Sequence, residues 1–124
     1  MILLDTGFLI RALVRDTRED RRLLEWLRGG ETMGMSVVGW TEFLCGPVGD
    51  AELDLAARVV TERLPLVEED AATAARLFNE TGRKRGTLVD CTIAATSLRL
   101  GAPLATTNVK DFSRFVPAGL TLAD

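Results

Sequence analysis

Ile2-Leu3-Leu4-Asp5-Thr6-Gly7 is the stretch whose reading decides the fold. Three apolar residues in unbroken succession read as a strand too apolar to be solvated on either side. Asp5-Thr6-Gly7 then reads as a turn. Phe8-Leu9-Ile10 and Leu13-Val14 continue at helical spacing, with Arg11 and Arg15 on the opposite side. A buried strand leads straight into a helix, and a carboxylate stands at the junction.

The same alternation recurs downstream. Thr17 is a helix N-cap, with Asp20 in the place of the usual capping-box Glu. Leu23, Leu24, Trp26 and Leu27 supply that helix's apolar face, and Gly29-Gly30 stop it. Residues 32–37 read as a second strand, with Ser36 capping a helix through Trp40, Glu42, Phe43 and Leu44 that ends at Gly46-Pro47. Asp50 opens a helix with Leu53, Ala56, Ala57 and Val60 inward. Leu64-Pro65-Leu66-Val67 reads as a third strand, at an edge because of its proline. Asp70 starts a helix that ends at Gly82, and Arg83-Lys84-Arg85-Gly86 is a basic loop. Thr87-Leu88-Val89-Asp90 leads into a helix over 91–100 closed by Gly101. Leu104-Ala105-Thr106-Thr107 is a strand, residues 108–112 begin a short helix, and Leu120-Thr121-Leu122 is a final strand. Short strands alternating with helices predict an α/β fold with a central, mostly parallel sheet. Sites in such sheets form at the C-terminal strand edges.

Composition narrows the chemistry. The 124 residues suit one domain over 1–124, and 47% apolar residues suffice for a core. The chain has no histidine and no tyrosine. That excludes Ser-His-Asp and Cys-His triads, His-ligated zinc and imidazole proton shuttles. A net charge of −3 provides no global positive field for a polyanion, though a local basic patch remains open. Thirteen of the 15 basic residues are Arg, the side chain best shaped for bidentate phosphate contacts. Cys45 and Cys91 form no spacing motif and read as buried thiols in a reducing cytoplasm. No signal peptide or transmembrane stretch is legible, so a cytoplasmic protein is expected.

Four acids fall where the sheet-edge rule looks for them. Asp5 follows the first strand, and capping the next helix is the competing structural role. Glu42 lies between Trp40-Thr41 and Phe43-Leu44, either on an outer face or at the site. Asp90 is either the cap of its helix or a group aimed into a cleft. Asp111 and Asn108 can both cap the short helix that contains Phe112. Gathered together, like charges repel and raise one another's pKa, and a cation offsets that cost. Oxygen ligands without His or Cys suit Mg²⁺ or Mn²⁺. Such ions polarise phosphoryl oxygens and activate water, so metal-assisted phosphodiester hydrolysis fits an all-carboxylate site.

The ordered set Ile2-Leu3-Leu4-Asp5-Thr6, Ser36 with Glu42 and Gly46, Asp90 with Ile93-Ala94-Ala95-Thr96, Leu104-Ala105-Thr106-Thr107-Asn108 and Asp111-Phe112 resembles the PIN-domain ribonucleases. It is most similar to the VapC-type toxins of bacterial toxin–antitoxin pairs. The resemblance implies a PIN-like three-layer sandwich, a homodimer and a Mg²⁺- or Mn²⁺-dependent endoribonuclease. It also implies a cognate antitoxin whose C-terminal segment occludes the acidic cleft. Asp5, Glu42 and Asp90 match the family's metal-site acids. Many relatives carry Asp at the position of Asn108; others keep Asn there and an acid at the position of Asp111, which makes Asp111 the fourth candidate. Asp5 and Asp90 are expected to hold the ion directly, while Glu42 and Asp111 bind through water or handle its proton. Asn108 is expected to orient a water or ligand, and Thr6, Ser36 and Thr106 match polar positions around the site. Arg11, Arg15, Arg83, Lys84 and Arg85, with Arg18 and Arg22, are candidates to meet RNA or an acidic antitoxin.

Two rivals compete. A phosphorelay receiver domain needs an acid pair after the first strand, where this chain has a single Asp5. A catalytically silent RNA- or protein-binding module on the same fold would show no metal-dependent cleavage.

Overall fold

A computed structural model describes residues 1–124. Strand β1 (Ile2–Leu4) runs into helix α1 (Thr6–Ala12), followed by α2 (Arg18–Arg28), β2 (Met33–Ser36), α3 (Val37–Cys45) and α4 (Asp50–Val59). Then come β3 (Val60–Leu64), α5 (Glu68–Glu80), α6 (Leu88–Leu100), β4 (Leu104–Ala105), α7 (Val109–Phe112) and a 3-10 helix over Ser113–Ala118. The sheet order is β3-β2-β1-β4, and every pairing is parallel. Leu3 sits at the centre, level with Gly34 of β2 and Leu104 of β4.

Successive residues of a strand face opposite sides of a sheet. In β1 that alternation separates two cores. Ile2 and Leu4 join Phe8, Leu9, Met33, Met35 and Phe43 on one face. Leu3 joins Leu77, Ile93, Leu104, Phe112 and Phe115 on the other. Helices therefore cover both faces, and the uninterrupted apolar run is explained by burial on both sides.

Several local expectations shift. The third strand lies at Val60–Leu64, directly after α4, and not over residues 64–67. It is an edge strand in which Thr61, Glu62 and Arg63 are exposed, so it needs little apolar pattern, and Pro65 lies just beyond it. Val60 belongs to this strand and not to the preceding helix, while Ala57 faces outward. On α2 only Leu23 is buried, with Trp26 half-buried and Leu24 and Leu27 exposed. Thr17 caps α2 by accepting from the Asp20 N–H at 3.0 Å. Asp20 does not complete the box on Thr17; it accepts from the Asp16 N–H instead. Of the two thiols Cys91 is buried, whereas Cys45 is exposed. Residues 120–122 form no full strand: Leu122 bridges Leu104 alone. No helix is long and apolar enough to cross a membrane.

Candidate active site

Asp5 is held by two strands and a helix. Its backbone N–H donates to Ala105 O at 2.9 Å, which ties the end of β1 to the end of β4. Its side chain caps α1 by accepting from the Thr6 N–H at 2.8 Å. The other carboxylate oxygen accepts from Thr106 Oγ1 at 2.9 Å. The capping reading of Asp5 holds, and it does not exclude the site reading: the cap fixes the carboxylate at the C-terminal sheet edge with 9% of its surface exposed.

Thr6 links this position to the next acid. Its hydroxyl donates to Gly39 O at 2.9 Å and lies 3.2 Å from Glu42 Oε1. Glu42 is exposed on α3, beside the Asp5 turn. Ser36 caps that same helix, its hydroxyl accepting from the Val38 N–H at 3.1 Å. Ser36 thus orients α3, and its side chain makes no hydrogen bond to the four acids.

Asp90 lies within the first turn of α6, which begins at Leu88. It is not the helix cap; Thr87 holds that position. The sole ion-pair contact to any of the four acids is Arg114 Nη2, 3.7 Å from Asp90 Oδ2. Asp111 accepts from Asn108 Nδ2 at 2.7 Å, and the Asn108 N–H donates to Thr106 Oγ1 at 2.9 Å. Thr106 thereby connects the Asn108–Asp111 turn to Asp5. Gly7 makes this approach feasible, since a Cβ there would stand 2.8 Å from Thr107 Oγ1.

The electrostatics describe one cluster. Burial raises the Asp5 carboxyl above its ordinary value, against the lowering effect of the Thr106 and Thr6 hydrogen bonds. Asp90 is pushed up to about 6. Burial is the largest cause, the Asp5 charge comes next, and Glu42 and Asp111 add to it, with Arg114 opposing. No three carboxylates converge into a ready-made metal-binding group in this conformation. The structure places Asp5, Glu42 and Asp111 near enough for their charges to act on Asp90, with Thr6, Thr106 and Asn108 as the hydrogen-bonding frame.

The basic candidates divide. Arg11 lies 3.6 Å from Glu19, and Arg83 is engaged by Asn79 and lies over the Phe78 ring, 5.4 Å from its centroid. Arg15, Lys84 and Arg85 are exposed. Arg18 and Arg22 line a cleft of about 290 Å³ together with Thr106 and Thr107. Arg114 was not legible as a site residue: nothing in its sequence setting separates it from a solvated surface Arg.

A family model described as PIN domain matches residues 2–116. No curated protein sequence matches the chain. Among solved structures, the fold resembles a chain of VapBC2 from Rickettsia felis bound to a promoter DNA fragment, with a TM-score of 0.77 and 21% identity, covering 99% of this chain and 98% of that one. VapBC-1 from nontypeable Haemophilus influenzae gives a TM-score of 0.74 at 24% identity, covering 100% and 98%. A toxin–antitoxin complex from Klebsiella pneumoniae gives 0.73 at 24% identity, covering 91% of each chain. A family model that spans nearly the whole chain, over a parallel sheet with acids along its C-terminal edge, makes this protein a member of the PIN-domain family.

Proposed function

We propose that this protein is a divalent-metal-dependent endoribonuclease and the toxin of a toxin–antitoxin pair. The observation that carries the reading is the set of four carboxylates at one sheet edge, three of which raise the pKa of Asp90 or are raised with it. Structural acids are normally placed beside cations. These are placed beside one another, at a cost that a bound cation removes.

The donor set fits Mg²⁺ or Mn²⁺. All candidate ligands are oxygens, and the chain has no His to favour zinc. Each Asp5 oxygen uses one hydrogen bond, which leaves lone pairs for a ligand. Asp5 and Asp90 are the residues that would hold the ion. Bound there, the ion supplies Lewis-acid polarisation of a phosphoryl oxygen and a more acidic water. Thr6 and Thr106 orient Glu42 and Asp5. Glu42, exposed and hydrogen-bonded to Thr6, is positioned to take a proton from the attacking water. Asn108 fixes Asp111, the second candidate for that proton. The four side chains do not converge in this conformation, so Asp5 and Asp90 would have to turn toward each other to share an ion.

The toxin role rests on the likeness to chains of toxin–antitoxin complexes. It carries with it a homodimer and a cognate antitoxin partner. RNA incubated with the protein, with and without Mn²⁺, tests the chemistry: cleavage that requires the ion and disappears in Asp5→Asn is expected, and ion-independent or absent cleavage contradicts it. A small adjacent gene whose product blocks cleavage and co-purifies with this chain tests the toxin role.

A further inference from the structure

Arg114 is the one cation within ion-pair distance of any of the four acids. It belongs to the 3-10 helix over Ser113–Ala118, just beyond the Asp111-bearing α7. Its side chain is only 20% exposed, yet it is incompletely satisfied. Nε is buried with no hydrogen-bond partner, and Nη2 stops 3.7 Å short of Asp90 Oδ2, beyond hydrogen-bond distance. The guanidinium lies over the Phe115 ring, 5.1 Å from its centroid. A stacked aromatic face holds the charge near Asp90 without bonding it there.

Arg114 also lines a cavity of about 250 Å³, together with Leu77, Glu80, Thr81, Pro117 and Ala118. Glu80 is only loosely engaged by Arg76, at 3.9 Å. The guanidinium therefore has an acid-bearing space to turn into if it leaves Asp90.

We infer that Arg114 is a built-in counter-ion of the acid cluster, a positioning residue that partly offsets the Asp90 charge in the metal-free protein and gives way when a divalent cation binds. The inference rests on the metal-site reading given above. Arg114 and the ion compete for the same carboxylate. A loose pair suits that role, because a bidentate lock on Asp90 would oppose the ion more strongly.

Mn²⁺ titration calorimetry on the full chain tests the competition. Arg114→Gln, and Arg114→Met with its packing on Phe115 retained, should each bind Mn²⁺ about three- to tenfold tighter, since one nearby positive charge is removed from a partly solvated divalent site. Arg114→Lys, which keeps the charge, should restore affinity close to that of the unsubstituted chain. Unchanged or weaker binding in both neutral variants would overturn the inference while leaving the metal site intact. Absence of Mn²⁺ binding by the unsubstituted chain would overturn the metal site and the competition together. Thermal denaturation without metal separates charge from packing. Loss of Arg114 should lower the midpoint in the native background and much less in an Asp90→Asn background; equal losses would show that Arg114 only packs on Phe115.

Discussion

Asp70 and Asp90 are two carboxylates, one fully and one partly withdrawn from water, in opposite surroundings. Asp70 is fully buried at the start of α5. It accepts from Arg99 Nε at 2.8 Å and Nη2 at 3.1 Å, from the Val67 N–H at 3.1 Å and from Thr96 Oγ1 at 3.4 Å. Burial alone would raise its pKa, but the Arg99 pair and the other donors outweigh that and lower it. Asp90 has one loose cation at 3.7 Å and three acids for neighbours, and it rises to about 6. Loss of hydration pushes both carboxyls up, so it does not by itself mark a functional site. Charge left largely uncompensated is what separates Asp90 from Asp70, and it is the ground on which Asp90 is proposed as a site residue.

The comparison breaks most visibly in catalysis. Asp5→Asn and Asp90→Asn should each lower Mn²⁺-dependent RNA cleavage at least about a hundredfold, because several kcal/mol of transition-state stabilisation would depend on the ion they are proposed to hold. Both variants should keep the fold, measured by circular dichroism, since each removes a repelled charge. Asp70→Ala should do the reverse. It leaves the Arg99 guanidinium beside an emptied pocket and should cost about 3 kcal/mol of stability in denaturant unfolding. Its cleavage activity, measured below the unfolding midpoint, should stay within a few-fold of the native value.

The pH dependence of the two acids has opposite sign. The lowered Asp70 pKa contributes stability that is fully present above the ordinary value of 3.8 and is lost as pH falls through the folded-state value. The raised Asp90 pKa works the other way: ionising it in the folded state costs stability as pH climbs from 3.8 through about 6. Asp90→Asn should therefore gain on the native chain between pH 4 and 7 in metal-free thermal denaturation. Mn²⁺ affinity of the native chain should rise over the same interval as the proton leaves Asp90. A smaller effect is expected at Gly7. Its substitution by Ala places a Cβ 2.8 Å from Thr107 Oγ1 and shifts the turn that carries Thr106. Cleavage should fall about tenfold with little change in unfolding midpoint, since misplacing a reacting group is costlier than the local strain.

The sequence made one half of this contrast visible. Asp5 stands where an unbroken apolar run meets a helical pattern, so its place at the sheet edge follows from local residues alone. The central strands were legible for the same reason, because burial on both faces leaves a strong apolar signature. Strand β3 was not, since Thr61, Glu62 and Arg63 face solvent and its pairing comes through the backbone. The Asp70–Arg99 pair was hidden by distance along the chain: 29 residues separate partners that meet only when α5 packs on α6. Asp70 looked like a helix start, and it does bond the Val67 N–H there, but the cap conceals the ion pair. Arg114 was hidden likewise, as only the packed 3-10 helix brings it to Asp90.

The most direct test is Mn²⁺ titration calorimetry on four chains at neutral pH: native, Asp5→Asn, Asp90→Asn and Asp70→Asn. Binding is expected in the native and Asp70→Asn chains and should be lost in Asp5→Asn and Asp90→Asn. Undiminished binding after both site substitutions, or equal loss in Asp70→Asn, would contradict the assignment of Asp5 and Asp90 to a metal site.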